Sequence, residues 1–156
     1  MRAAVSVAAA IYRYAGIECD WTVCIPSREP PIPYHMPADP PPFQVKVLAP
    51  GMGVGAASRS AFGFAVLPHT GHAAFLAYVF YRKVEEVARA QDIDTGPLLG
   101  IVLVHEVGHL LGLSDSVGVM RSSFTREDLK RAEKGLLRFS AADAGCLRAV
   151  FPRYKT

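Results

Sequence analysis

The stretch from Pro97 to Leu111, PLLGIVLVHEVGHLL, constrains the fold more than any other part of the chain. Its residues are apolar on almost every side of a helix, and only His105, Glu106 and His109 interrupt them. A helix that is apolar all round lies inside a protein, packed against other elements. The sequence therefore predicts a central helix that carries three polar side chains into the core.

The two ends of this stretch have residue types that suit the ends of a helix. Pro97 fits the first turn, where its missing N–H leaves no bond unmade, and Thr95 or Asp94 can cap that turn. Gly112 follows the last apolar residues and can adopt the left-handed conformation that often ends a helix. We expect the chain to turn at this glycine.

Hydrophobic spacing predicts the elements before the central helix. One amphipathic helix opens the chain and another begins at Tyr81. Their predicted inward residues are Ala4, Val7, Ile11 and Ala15 in the first, and Val84, Val87 and Ala88 in the second. Alternating, β-branched or aromatic residues predict four strands, within Ile17–Ile25, Phe43–Ala49, Ala61–Pro68 and His72–Tyr81.

Two short helices are predicted after the central helix, because two capping boxes occur there. The boxes are Thr125-x-x-Asp128, which opens a helix from Arg126 to about Glu133, and Ser140-x-x-Asp143, which opens one from Ala141 to Phe151. Helix, strands, helix, buried helix and helical tail together give an α+β fold. A chain of 156 residues fits a single domain.

Two further stretches are predicted to be loops. The segment Pro26–Pro42 is rich in proline, so it is either a semi-rigid surface loop or a segment that docks a substrate or partner. Residues 50–60, PGMGVGAASRS, are rich in glycine. They lack the complete phosphate-binding fingerprint and its βαβ context, so we interpret them as a flexible loop.

Composition excludes two classes of partner. The net charge is only +3, and Lys and Arg are scattered along the chain, so we expect no nucleic-acid partner. No run reaches the roughly 18 apolar residues of a membrane span. The chain is expected to be a monomer.

Its three cysteines, Cys19, Cys24 and Cys146, are compatible either with one disulfide in an exported protein or with three thiols in a cytosolic one.

The polar residues of the central helix have the spacing of a zinc site. His105 and His109 are four residues apart, so both imidazoles project from one face of a helix and can bind one Zn²⁺. Glu106 lies beside them and is placed to act as a general base. H-E-x-x-H also occurs by chance, and core histidines are often merely hydrogen bonded. A buried helix ended by glycine favours the zinc interpretation.

The third zinc ligand distinguishes the classes of zinc peptidase. In one class a Glu on a later helix completes the site, and Glu127 and Glu133 are candidates, although their charged neighbours indicate a solvated helix face. In the other class the chain turns at a glycine and supplies the ligand three residues later, above a methionine turn. Gly112, Asp115 and Met120 have that arrangement.

The stretch HEVGHLLGLSDSVGVM resembles the signature of the metzincin clan, H-E-x-x-H-x-x-G-x-x-(H or D) followed by a methionine turn. Asp in third place is similar to the small secreted snapalysin-type proteases, and the rest resembles short bacterial metzincin-like proteins. The stretches that carry this resemblance are YAGIECDWTVC, AYVFYRKVEEVA, LGIVLVHEVGHLLG, GVMRSSFTREDL and GLLRFSAADAGCLRAVF.

The resemblance implies a metzincin-like α+β domain over residues 1–156. An upper subdomain, about residues 1–112, would hold a twisted mixed sheet of five strands and two long helices, and a small helical lower subdomain would cover about 113–156. It also implies a secreted or periplasmic protein, whose signal peptide the present sequence does not contain. Export in turn favours one disulfide. We expect it to join Cys24 and Cys146, since Cys19 and Cys24 should face opposite sides of the predicted strand.

The chain departs from these relatives in its third ligand and in the length of the segment after it. Asp115 replaces the usual histidine, and only Ser116 to Val119 separate it from Met120. Carboxylate oxygen is an established Zn²⁺ ligand beside two histidines. It leaves the site one charge less positive than a third histidine does, so we predict a less acidic zinc-bound water.

These patterns lead to one leading hypothesis and two alternatives. The leading one is a zinc-dependent endopeptidase acting on protein or peptide substrates, with Glu106 as its base. The alternatives are a non-catalytic metzincin-like binding domain and a gluzincin-type peptidase that uses Glu127 or Glu133. His69 and His72 can form a second metal site but better fit a surface turn, and His35 has no evident partner.

Overall fold

A computed structural model describes residues 1–24, 43–49, 61–66 and 76–151. The elements in this part of the chain are α1 (Arg2–Tyr14), β1 (Gln44–Leu48), β2 (Gly63–Val66), β3 (Leu76–Phe80), α2 (Tyr81–Gln91), α3 (Thr95–Leu110), a 3₁₀ turn (Gly118–Met120), α4 (Arg126–Glu133) and α5 (Ala141–Val150). They form an α+β fold, as predicted. The proline-rich and glycine-rich stretches lie outside the described residues, and so do His35, His69 and His72.

The predicted central helix is α3. Almost all of its residues from Leu98 onward are buried, and α1, α2, α4 and the sheet all contact it. Asp94 caps its first turn, because its side chain accepts the backbone N–H of Gly96 at 2.9 Å. Gly112 follows with a φ of +86°, in the left-handed region, so the predicted turn at this residue is confirmed.

The amphipathic helix α1 lies against α3 at close range. Ala4, Ile11 and Ala15 are buried and Val7 is half-buried, so the predicted inward face is confirmed. Gly100 permits the close approach, since a Cβ there would lie 2.7 Å from the Ala4 carbonyl oxygen. These contacts fix the helix that carries the polar residues.

One hydrogen bond joins the two helices inside the core. The hydroxyl of Tyr12, which is fully buried, donates to the carbonyl oxygen of Val104 at 3.2 Å. Burial, with a smaller effect from Cys19, raises the pKa of Tyr12 well above its ordinary value. The phenol therefore stays protonated and acts as the donor.

The sheet of the described residues has three strands in the order β1-β3-β2. The central strand β3 pairs in parallel with β1 and antiparallel with β2, so that Ala77 faces Val45 on one side and Ala65 on the other. Three of the four predicted strands are confirmed by these elements, and the sheet is mixed, as the resemblance implies. One face of this sheet contacts α3, and thereby β2 comes close to the polar residues of that helix.

The two predicted helices of the tail are also present. α4 has a complete capping box, in which the Thr125 hydroxyl accepts the N–H of Asp128 and the Asp128 carboxylate accepts the N–H of Thr125. α5 begins after Ser140, whose hydroxyl accepts the N–H of Asp143 at 3.0 Å. None of the described helices combines the length and the apolar character needed to cross a membrane.

The strand predicted within Ile17–Ile25 is wrong, since residues 17–24 have no regular secondary structure. Side chains do alternate there, with Ile17 buried, Cys19 and Trp21 half-buried against the core, and the residues between them exposed. The alternation reflects an extended chain that packs its side chains on the core. No backbone ladder forms along it, because side-chain alternation does not by itself supply a pairing partner.

The expected disulfide between Cys24 and Cys146 is also wrong. All three cysteines are free thiols, Cys19 half-buried and the other two exposed. The pairing assumed that Cys19 and Cys24 face opposite sides of a strand, and that strand does not form. Burial, together with the neighbouring Asp20 charge, raises the pKa of Cys19 to about 11, so its thiol is protonated at neutral pH.

Candidate metal centre and active site

The histidines of α3 meet on one face of its last two turns. The ring centroids of His105 and His109 lie 4.5 Å apart, and their planes are nearly perpendicular, at 89°. Both side chains are largely buried, with 14% and 22% of their surface exposed. The four-residue spacing thus brings two imidazoles together at the surface end of an otherwise buried helix.

Both imidazoles are oriented by backbone carbonyls from the segment that follows the helix. His105 Nδ1 lies 3.0 Å from the Val119 carbonyl oxygen, and His109 Nδ1 lies 2.9 Å from that of Leu113. A carbonyl oxygen only accepts hydrogen bonds, so each Nδ1 carries a proton and donates it. Burial is the main effect that lowers the pKa of His105, which favours its neutral form. In neutral rings with this tautomer, each Nε2 presents a lone pair.

Asp115 adds a carboxylate to the two lone pairs. The chain reverses at Gly112, and Asp115 Oδ1 then lies 3.6 Å from His105 Nε2 and 3.5 Å from His109 Nε2. The two Nε2 atoms are 3.0 Å apart. Within the described part of the chain, these are the only three His, Cys, Asp or Glu residues whose ligand atoms converge in this way. The group can hold a metal ion.

These distances fit zinc. A tetrahedral Zn²⁺ with ligands at about 2.0–2.2 Å separates those ligands by about 3.3–3.6 Å. A triangle with sides of 3.0, 3.5 and 3.6 Å has a point about 2.0 Å from all three corners. Two unprotonated nitrogens cannot hydrogen bond to each other, and both repel a carboxylate. A cation among the three atoms would remove this repulsion.

Glu106 is buried next to this group. Only 4% of its surface is exposed, and its Oε2 has no hydrogen-bond partner among the described residues. A Cβ on Gly63 would lie 2.7 Å from Glu106 Oε1, so the carboxylate lies directly against strand β2. Burial, with a smaller contribution from the Asp115 charge, raises the pKa of Glu106 to about 8. A buried carboxylate oxygen without a partner costs stability, so its presence calls for a further group at this place.

A cavity of about 360 Å³ opens beside Glu106 and His105. Its walls combine apolar residues of β2, α2, α3 and α4 with serine and basic side chains. The apolar lining residues include Phe62, Val87, Val102, Phe124 and Leu129. The polar ones include Lys83, Arg121, Ser122, Ser123 and Arg126. The cavity is large enough to hold a bulky side chain of a peptide next to the carboxylate.

Met120 ends the 3₁₀ turn and lies beneath the helix. It is fully buried, and a Cβ on Gly108 would lie 2.5 Å from its sulfur. Gly108 is the residue before His109, so the methionine contacts the helical turn that carries both histidines. The small residue at this position of α3 makes that contact possible.

The two alternative third ligands lie elsewhere. Glu127 and Glu133 are exposed on α4 and do not join the histidine group. Glu133 Oε1 instead accepts the backbone N–H of Asp94 at 3.3 Å. Asp94 is the N-cap of α3, about 16 Å along the helix from His105. The geometry thus brings Asp115, and neither glutamate, to the histidines.

Sequence reasoning did not identify three contributors to the site: Gly63 and the carbonyls of Leu113 and Val119. The carbonyls leave no signal in residue identity, since every residue has one. Gly63 did leave a signal, because an isolated glycine in a strand often marks a close approach of another group. That group is the Glu106 carboxylate.

Comparison with known proteins agrees with this site. A family described as zincin-like metallopeptidase matches residues 29–121, more than half of the chain and the part that ends just after Met120. No curated protein and no solved structure matches the chain. Members of the matched family are zinc metallopeptidases, and the matched range contains the two histidines, Glu106 and Asp115. The chain belongs to the zincin-like metallopeptidase family.

Proposed function

We propose that this chain is a zinc-dependent endopeptidase in which His105, His109 and Asp115 hold the metal and Glu106 is the general base. The observation that carries the proposal is the convergence of two imidazole lone pairs and one carboxylate oxygen within 3.6 Å of one another. The orientation of both rings by backbone carbonyls supports it. A site for structure alone has no need of a fourth, buried acid beside it.

A zinc ion in this site supplies Lewis acidity, which makes water more acidic and a peptide carbonyl more electrophilic. Glu106 accepts a proton from the attacking water and later returns it to the leaving amine. The unpartnered Oε2 is the oxygen available for this proton. The positive charge of a nearby metal favours the ionised form of Glu106, which the base requires.

Within the zincin-like family we propose the metzincin class. Asp115 follows the glycine turn at the position where that class has its third ligand, and Met120 lies under the histidine-bearing turn against Gly108. Glu133 supports this choice, because it binds the other end of α3 and not the histidines.

The substrate is proposed to be a protein or peptide, with one of its side chains in the cavity beside Glu106. That cavity borders both Glu106 and His105, so a chain seated there brings its backbone to the reacting groups. The lining mixes apolar walls with three basic residues, Lys83, Arg121 and Arg126. A side chain with an apolar body therefore fits best.

The proposal is tested by zinc content and peptide cleavage in matched variants. Glu106→Gln should retain zinc and lose cleavage of an unstructured protein substrate, because only the base is changed. Asp115→Ala should lose zinc, whereas Glu127→Ala, which changes an exposed acid outside the site, should keep both. Cleavage by Glu106→Gln at the wild-type rate contradicts the mechanism. Wild-type protein that binds zinc and cleaves no peptide supports the non-catalytic binding domain instead.

A further inference from the structure

The capping motifs of α4 and α5 share a sequence pattern, a hydroxyl residue followed three positions later by Asp, but the hydrogen bonds of the two Asp carboxylates differ. In α4 the Asp128 carboxylate turns back and accepts the N–H of Thr125 at 3.0 Å, which completes the box. In α5 the equivalent acid, Asp143, accepts two hydroxyls at one oxygen, from Ser140 at 2.6 Å and from Ser116 at 2.8 Å. The Asp128 carboxylate is thus bonded within its own cap and to Arg121 just before the helix, while Asp143 reaches a residue 27 positions earlier in the chain.

The residue that Asp143 reaches is the neighbour of the proposed metal ligand. Ser116 directly follows Asp115, whose side chain is 55% exposed, and Asp143 itself is only 9% exposed. The backbone N–H of Ser116 also donates to the Met120 carbonyl at 2.8 Å. Ser116 therefore connects the exposed loop that carries Asp115 to two other parts of the chain. These are the buried carboxylate of Asp143 and the turn that ends at Met120.

The rest of this short segment is held by the residues before α5. The N–H of Val119 donates to the Arg138 carbonyl at 2.9 Å, and Gly118, with a φ of +66°, lies close against the same oxygen. The histidines are held separately, by the carbonyls of Leu113 and Val119. Of the three converging groups, Asp115 is thus the one that directly precedes Ser116 in the chain.

We propose that Asp143 is a positioning residue, which holds the Asp115 loop through the Ser116 hydroxyl so that the carboxylate meets the two histidines. The inference rests on the proposed function, since it takes Asp115 as a zinc ligand. Asp143 lies outside the range 29–121 that the family match covers, whereas Ser116 and Asp115 lie within it. The bond is charge-assisted and therefore stronger than a neutral one.

The experiment measures two quantities on each variant: the zinc Kd, by competition with a chelator, and the Tm of the zinc-free protein. Ser116→Ala should weaken zinc binding about tenfold, the usual effect of removing a group that orients a ligand. Its zinc-free Tm should fall less than that of Ser140→Ala, because Ser116 is exposed and caps no helix. Ser116→Thr retains the hydroxyl and should restore zinc affinity.

Ser140→Ala is the matched control, because it removes the other hydroxyl on the same Asp143 oxygen. It should lower the Tm through the lost helix cap and change zinc affinity less than Ser116→Ala does. A double-mutant cycle completes the test. Asp143→Asn should weaken zinc on its own and add little to Ser116→Ala, since both break the same contact.

Three results overturn the positioning role. The first is a wild-type zinc Kd in Ser116→Ala, and the second is that the effects of Ser116→Ala and Asp143→Asn on zinc affinity add in full. The third is that zinc affinity falls in proportion to the Tm in every variant, including Ser140→Ala. Asp115→Ala separates this failure from that of the proposed function. If Asp115→Ala loses zinc while Ser116→Ala does not, only the positioning role is wrong. If Asp115→Ala binds zinc as wild type does, the proposed ligand set fails as well.

Discussion

Replacing Gly63 by alanine tests how the sheet packs against α3, the helix that carries the proposed base Glu106. A Cβ at this position would overlap the Tyr78 carbonyl oxygen of the neighbouring strand and lie 2.7 Å from Glu106 Oε1. Gly63 is buried and pairs with Val79, so the backbone has little room to move away. Overpacking of this kind costs about 2 kcal/mol. For a chain of this length that lowers the Tm by about 4–8 °C.

The same substitution should act on catalysis through Glu106. Restoring an ordinary contact with the new methyl group moves the carboxylate by about half an ångström or more. Displacements of this size reduce kcat by about tenfold, since the base loses its alignment. The atoms nearest the added Cβ belong to Tyr78 and Glu106 and not to the three proposed zinc ligands, so the zinc Kd should stay within about twofold of wild type.

The assay compares Gly63→Ala with Gly145→Ala, a substitution of the same kind in α5, where an added Cβ meets nothing within 4 Å. Gly145→Ala should leave kcat unchanged and raise stability by up to about 1 kcal/mol, because alanine favours a helix. Thermal unfolding, zinc titration and peptide cleavage are measured on both. If Gly63→Ala matches Gly145→Ala in Tm and kcat, the contact between β2 and Glu106 does not exist as described.

Three other perturbations have definite expected outcomes. Burial alone raises the pKa of Asp128, but hydrogen bonds from Thr125 and nearby arginine charges outweigh it, so the pKa lies below its ordinary value. The bonded carboxylate therefore adds stability above about pH 4 that is lost as the pH falls through the lowered pKa. Asp128→Asn should lower the free energy of unfolding by about 1 kcal/mol at pH 7 and make it depend less on pH in the acid range. A free energy of unfolding that falls with decreasing pH as steeply as in wild type contradicts this. Asp115→His should retain zinc and move the acid limb of the pH–rate profile to lower pH, because the site gains one positive charge; a limb that stays in place refutes the charge argument. Tyr12→Phe should cost about 1 kcal/mol in urea unfolding, through the lost bond to Val104, and a cost near zero indicates that this bond contributes nothing.

The elements that sequence reasoning predicted well are those set by local rules. The all-apolar pattern of α3 and the glycine at residue 112 each specify a feature of one short stretch, and both are confirmed. Of the two predicted caps, Thr95 and Asp94, Asp94 is the one that caps the helix. The spacing of the two histidines likewise follows from the helical period alone. Each of these features can be predicted without knowing how the rest of the chain folds.

The failures involve relations between distant residues. The residue types of 17–24 predicted a strand, but whether a strand forms depends on a pairing partner that the stretch itself does not specify. The disulfide failed for the same reason. The contact of Ser116 with Asp143 could not be predicted from the capping box. The pattern Ser140-x-x-Asp143 predicts a helix start correctly, but it does not specify which group the Asp143 carboxylate binds.

The hydrogen bonds from the two histidine rings to the carbonyls of Leu113 and Val119 have a consequence for how the metal site arises. The ring orientations are fixed by folding, so zinc meets ligands whose rotational entropy is already lost. A peptide that contains only the HEVGH helix lacks both carbonyls and should bind zinc far more weakly than the folded chain. Conversely, zinc that binds only the folded form stabilises it by mass action. Under the proposed ligand set, a higher free zinc concentration should therefore raise the free energy of unfolding of the chain.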